Sequence, residues 1–254
     1  MNKTVLITGA TSGFGLATAR VFAQHQYRLI ITGRRSDRLE SIKNELIKEF
    51  SAQVLTLCFD IRSLQQTRVA LNQIPADFKP VDILINNAGL ALNLASIDEG
   101  DFEDWDTMID TNVKGILYIT RLLLPEMKKR KQGHIVNISS TAGKETYRYG
   151  NVYCATKHAV DSLTKAMRID LLPYGIKVSS ISPGAAETEF SLVRFKGDTE
   201  RAKHVYRGYQ PLHAEDIANT IWYVVNQPEH VCINDVVITA KAQANSFYIE
   251  REGE

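Results

Sequence analysis

Seven short runs rich in β-branched and apolar residues, at 5–8, 28–32, 54–59, 83–86, 135–139, 178–182 and 236–239, alternate with longer segments of helical periodicity. This alternation constrains the fold more than any other feature. Parallel strands cannot be joined by a tight turn and need a crossover, usually a helix. Near-continuous apolar stretches such as Val81-Asp82-Ile83-Leu84-Ile85 suit strands covered on both faces. No Gly/Ser/Pro-rich linker, low-complexity tract or longer repeat divides the chain. The expectation is one α/β domain over residues 1–254, a parallel sheet between two helical layers. An irregular polar and basic stretch at 187–210 is expected to hang over the carboxyl ends of the strands as a substrate lid, and 240–254 to form a C-terminal tail.

Thirty basic and twenty-nine acidic side chains leave a net charge of +1, which provides no general field for nucleic acid or an anionic membrane. Cys58, Cys154 and Cys232 are odd in number and widely spaced, suggesting neither a disulfide framework nor a metal site. The first β-run begins a few residues in, without a charged leader, and no apolar run is long enough to span a bilayer. The expected location is cytoplasmic.

The first run leads into Gly9-Ala10-Thr11-Ser12-Gly13-Phe14-Gly15 and then a helical pattern. Glycines let backbone approach a phosphate, and the following helix offers free N–H groups and a positive dipole end. No Lys-Ser/Thr pair follows, so a Walker-type loop is excluded. The expected fold is therefore a Rossmann-type doubly wound sheet that binds a dinucleotide. About 20 residues on, where an acid would hold an unphosphorylated ribose, the chain has Arg34 and Arg35. Guanidiniums grip a 2′-phosphate through forked hydrogen bonds, so NADP(H) is expected over NAD(H). Asp37 and Glu40 have capping-box spacing. Asp60, beside Ile61 after the third run, can accept from an adenine amino group or cap the next turn.

Tyr153 and Lys157 lie four apart, thirteen residues after Ser140, on one face of a helical segment. Such a pair alone is commonplace. In order with the glycine turn, Asn86-Asn87-Ala88-Gly89, Asn112, Ser139-Ser140, Pro183-Gly184 and Thr188, it resembles the short-chain dehydrogenase/reductase family over essentially the whole chain. The resemblance implies that Tyr153 donates a proton to a substrate carbonyl as the cofactor gives hydride. Lys157 lowers the tyrosine pKa and bonds the nicotinamide ribose, Ser140 holds the carbonyl oxygen, and Asn112 positions a water toward Lys157. It also implies that Asn87, Ala88 and Gly89 line the cofactor ribose, that Pro183, Gly184 and Thr188 pass beside the nicotinamide, and that the chain forms a homotetramer. Helix 109–127 has apolar positions for both sheet and partner, and the tail is expected to help close a neighbour's pocket. Cys154 is expected to be buried and inert, and His158 to face away from the chemistry.

Residues 89–92 and 189–198, with the tail, are similar to NADP-dependent 3-hydroxy acid dehydrogenases, also described as serine or L-allo-threonine dehydrogenases and malonic semialdehyde reductases. Such a substrate needs a fixed cation, for which Arg194 is the candidate. Arg148, flanked by Tyr147 and Tyr149, departs from that subgroup. Arg148 and Tyr149 are expected to wall the substrate, an arrangement that also suits the sulfonate of sulfoacetaldehyde. The expected substrate is a short anionic aldehyde or its alcohol. A non-catalytic NADP sensor is the alternative; a sugar-nucleotide epimerase would need a larger C-terminal domain and a differently spaced glycine turn.

Overall fold

The computed structural model describes residues 3–253; Met1, Asn2 and Glu254, at the ends of the expected domain and tail, lie outside the described residues. Among the described residues, seven strands form one parallel sheet in the order β3-β2-β1-β4-β5-β6-β7. They are β1 Thr4–Ile7, β2 Arg28–Gly33, β3 Val54–Cys58, β4 Ile83–Asn86, β5 Gly133–Ile138, β6 Ile176–Pro183 and β7 Asp235–Ile238. Each corresponds to one expected run. The helices are α1 Gly13–Gln24, α2 Ser36–Phe50, α3 Leu64–Asn72, α4 Phe102–Ile109, α5 Gly115–Arg130, α6 Asn151–Leu171, α7 Glu189–Arg194, α8 Thr199–His204 and α9 Ala214–Val225.

Strand side chains alternate between faces, and the core divides accordingly. Val5 and Ile7 of β1 pack with Phe22 of α1 and Ile221 of α9. Leu6 of the same strand packs on the other side with Ile119 and Met127 of α5. All three β1 side chains are fully buried, each contributing about 1.5–3 kcal/mol by burial. Asn86 ties β4 to its neighbours, donating to Asn137 Oδ1 at 2.8 Å and Thr120 Oγ1 at 3.1 Å.

The strand order reverses between β1 and β4, the point at which a doubly wound sheet opens a crevice. Asn87 bridges it, its Nδ2 donating to Thr8 O at 2.8 Å and Gly9 O at 3.1 Å, while Thr8 Oγ1 accepts from the Asn87 and Ala88 N–H groups.

Two local expectations are corrected. Helix 109–127 is not one helix: a π-helical turn at Asp110–Lys114 joins α4 to α5. Wide turns of this kind redirect a side chain out of the regular ladder, and here Asn112 is turned toward the Leu90 backbone. The capping box at Asp37 is absent because α2 starts at Ser36, with Arg35 as the preceding cap residue. Asp37 therefore lies inside the first turn, and Glu40 instead pairs with Lys43 and Thr56. The tail is bonded within its own chain. Ala185 N–H donates to Gln243 Oε1 at 2.8 Å, Glu252 N–H to Gly208 O at 2.7 Å, and Arg251 to the carbonyls of Val205 and Arg207. These bonds place the tail against the 187–210 excursion of its own chain. No described helix is long and apolar enough to cross a membrane.

Candidate active site

The turn after β1 borders a cleft of about 350 Å³ lined by Gly9, Thr11, Ser12, Gly13, Phe14, Arg34, Arg35, Asp60, Ile61, Asn87, Ala88, Gly89, Tyr153, Lys157 and Thr188. Gly9 has φ +65°, and a Cβ there would stand 2.9 Å from Ala88 Cα. A Cβ on Gly15 would meet Gly9 O and lie 2.6 Å from Asn87 Nδ2. Ser12 precedes α1 but its hydroxyl caps nothing, leaving first-turn N–H groups free for an anion. A cradle closed to side chains, with free backbone donors and two arginines at its rim, fits a dinucleotide phosphate. Arg35 donates to Thr11 Oγ1 at 2.8 Å. The Asp60 carboxylate is held by Arg62, with Nη2 to Oδ2 at 2.6 Å, and it accepts the Arg62 N–H at 3.0 Å, so it closes the local turn.

A second cavity, of about 240 Å³, shares Phe14, Ser139, Tyr153, Thr188 and Phe190 with the first. Tyr153, only 8% exposed, thus stands where the two meet. Ser140, Pro183 and Gly184 line this second cavity and not the first. Ser140 Oγ accepts from Ala142 N–H at 3.1 Å and donates to Pro183 O at 3.4 Å.

One turn beyond Tyr153, Lys157 Nζ donates to Ile138 O at 2.9 Å and lies 5.9 Å from the Tyr153 ring centre. Burial lowers the Lys157 pKa to about 8. Burial, then the nearby Tyr147, holds the Tyr153 phenol above its ordinary value; Arg194 and Ser140 pull the other way. Two cations thus stand near the phenol: Arg194, 5.3 Å from the ring centre, and Lys157 at 5.9 Å. The Asn112 amide donates to Leu90 O at 2.8 Å and Thr156 Oγ1 at 3.0 Å and accepts from Leu90 N–H at 2.9 Å. A Cβ on Gly89 would stand 3.2 Å from Asn112 Oδ1 and 3.4 Å from Lys157 Nζ, so both groups face the Gly89 side of the cleft.

The depressed lysine pKa has a measurable consequence. Between about pH 8 and 10.5 the unfolded chain holds a proton that the folded one has lost, so stability rises with pH through that window. Measured by urea unfolding, the wild-type protein should gain on Lys157→Met by up to roughly 3 kcal/mol over this range. A difference that stays flat would show that Lys157 is not desolvated.

Arg148 is the main displaced prediction. It is exposed, lies over the Tyr149 ring at 4.6 Å and lines neither cavity. Tyr149, at φ +64°, borders a third, small pocket that Tyr153 also lines. In this irregular segment successive side chains diverge, and it is Tyr147 that turns inward, its hydroxyl accepting from Arg194. A Cβ on Gly150 would collide with the Tyr147 ring, so a glycine three residues after the aromatic was the available signal. Gln243, Ser246 and Ile249 of the tail also line the second cavity. The Cys154 thiol is buried and pushed up by that burial, which makes it a poor nucleophile. His158 Nδ1 is engaged with Cys154 O at 2.9 Å.

A family model described as short chain dehydrogenase matches residues 3–198. A serine 3-dehydrogenase of Agrobacterium fabrum is 45% identical over 253 residues, covering 99% of this chain and 100% of that protein. The NADP-dependent 3-hydroxy acid dehydrogenase YdfG of Escherichia coli K12 is 43% identical over 241 residues, covering 94% and 96%. The closed form of serine dehydrogenase complexed with NADP+ superposes with a TM-score of 0.91 at 42% identity, covering 98% of this chain and 100% of that one.

Proposed function

The chain belongs to the short-chain dehydrogenase family, and from that premise we propose that it interconverts a short 3-hydroxy acid and its semialdehyde with NADP(H). One observation carries the substrate class: Arg194 is the only charged side chain among the described residues lining the cavity beside Tyr153. A lone guanidinium without a carboxylate favours an anion and offers nothing to an ammonium group. The case for a sulfonate depended on a second guanidinium from Arg148, which is exposed outside the cavity. A carboxylate is therefore favoured over the sulfonate of sulfoacetaldehyde.

When bound, the cofactor supplies the hydride. Tyr153 is proposed to give its phenolic proton to the carbonyl oxygen, and Ser140 to hold that oxygen by a bond that strengthens as charge develops. Lys157 would orient the nicotinamide ribose, and its ammonium, with Asn112 Oδ1 on the same side, would return the proton through water at Gly89. Arg34 and Arg35 would hold the 2′-phosphate. Replacing both with alanine is expected to raise the NADPH dissociation constant roughly 10- to 100-fold, the scale of charge-assisted hydrogen bonds, with little change for NADH. Equal weakening of both cofactors would remove them from phosphate recognition. Residues 187–210 serve as the lid. A homotetramer remains the proposed assembly, supported by exposed Leu117, Ile169 and Leu172 and tested by light scattering.

Relatives named dehydrogenases at this identity leave a non-catalytic sensor without support. The test is steady-state kinetics on malonic semialdehyde, sulfoacetaldehyde and propanal with NADPH, and on 3-hydroxypropionate and serine with NADP+. Malonic semialdehyde should lead among the aldehydes, and 3-hydroxypropionate should outrun serine. Propanal reduced as efficiently as the anions would sink the proposal.

A further inference from the structure

Arg194 closes the six-residue helix α7, and the first residue of that helix, Glu189, reaches to the opposite wall of the nucleotide cleft. Glu189 Oε1 is 2.5 Å from Arg38 Nη2, and Oε2 is 3.3 Å from both terminal nitrogens of Arg35. Burial pushes the Glu189 carboxyl up, but the Arg38 hydrogen bond and the charges of Arg38 and Arg35 outweigh it and hold the group ionised below the usual carboxylate range. The other end of the helix is anchored too. Asn93 N–H donates to Arg194 O at 2.8 Å, and Lys196 pairs with Asp104 at 2.9 Å. One short helix therefore joins the guanidinium assigned to the 2′-phosphate to the guanidinium assigned to the substrate anion.

We propose that Glu189 is a positioning residue with two opposed effects: it latches the helix that aims Arg194 into the substrate cavity, and it competes with a cofactor 2′-phosphate for Arg35. The inference rests on the cofactor and Arg194 assignments above. A phosphate on Arg35 would draw that guanidinium from Glu189, leaving Arg38 as the latch, so the two sites are coupled through one carboxylate. The acid opening the lid complements the row Arg34, Arg35 and Arg38, a pairing that spans 154 residues of sequence between Arg35 and Glu189 and has no local signature.

Glu189→Gln keeps the side chain's size and removes its charge. Partly exposed ion pairs are individually weak, so about three- to fivefold effects are expected. NADPH binding, read from quenching of protein fluorescence with no aldehyde present, should tighten by that factor while NADH binding holds. The KM for malonic semialdehyde should rise by a similar factor, with most of the loss in KM rather than kcat. In the cofactor-free protein, tryptic cleavage after Arg194, Lys196 and Arg201 should accelerate. NADPH binding that is unchanged or weaker overturns the competition. Unchanged cleavage, or a KM rise equal for propanal, overturns the latch. If wild-type protein binds NADH as tightly as NADPH, the cofactor assignment fails and takes the competition with it; the proteolysis, which involves no cofactor, then decides the latch alone.

Discussion

Tyr153→Phe is expected to lower kcat by roughly 10³ in both directions, within the range that a positioned general acid contributes. The phenol stands at the junction of the two cavities with its ring 5.7 Å from that of Phe190, and that packing survives loss of the hydroxyl. The variant should therefore fold, melt close to the wild type and bind NADPH within a few-fold. A kcat reduced less than tenfold would point to another donor, and Tyr147, facing the same cavity, is the group in position. Because burial keeps the Tyr153 phenol above its ordinary value, reduction, which uses the protonated form, should be insensitive to pH through neutrality. Alcohol oxidation, which needs the phenolate as base, should rise with pH. Opposite pH trends would assign the proton transfer to a different residue.

Arg194→Met should raise KM for malonic semialdehyde about 10- to 100-fold, the loss expected when a charge-assisted hydrogen bond in a partly buried site is removed. Propanal should lose little. The same substitution has a second readout. Arg194 is among the groups that draw the Tyr153 pKa down, so removing its charge should displace the pH dependence of alcohol oxidation to higher pH. Tyr147 loses its guanidinium donor in this variant, and Tyr147→Phe separates the contributions: it removes the acceptor that orients Arg194 but leaves the charge. A loss equal for charged and neutral aldehydes would show that Arg194 supports the lid without touching the anion.

These two side chains illustrate the different reach of sequence and structure. Tyr153 and Lys157 are four apart on one helix, and helix geometry alone places them on one face. The glycine turn is equally local, a strand running into a helix within eight residues. Apolar runs separated by helical segments admit few topologies besides a parallel sheet with crossovers, and all seven strands follow from them. Family, fold and the shared helix face of Tyr153 and Lys157 were legible for that reason.

What sequence misassigned was direction in segments without a period. Nothing local distinguishes Tyr147 from Arg148; which one enters the cavity is fixed by the Gly150 turn and by Arg194, distant in sequence. The tail's bonds to Ala185, Val205 and Gly208 of its own chain likewise have no local signature. In the widened turn the Asn112 amide bonds to the Leu90 backbone, 22 residues upstream. Regular hydrogen-bond ladders transmit position along the chain, so the sequence by itself determined the sheet, the phosphate turn and the tyrosine-lysine helix. Loop side chains are oriented by partners from elsewhere in the chain, so only the tertiary structure decided that Arg194, bonded to Tyr147 and with Glu189 at the far end of its helix, lines the cavity beside Tyr153 while Arg148 does not.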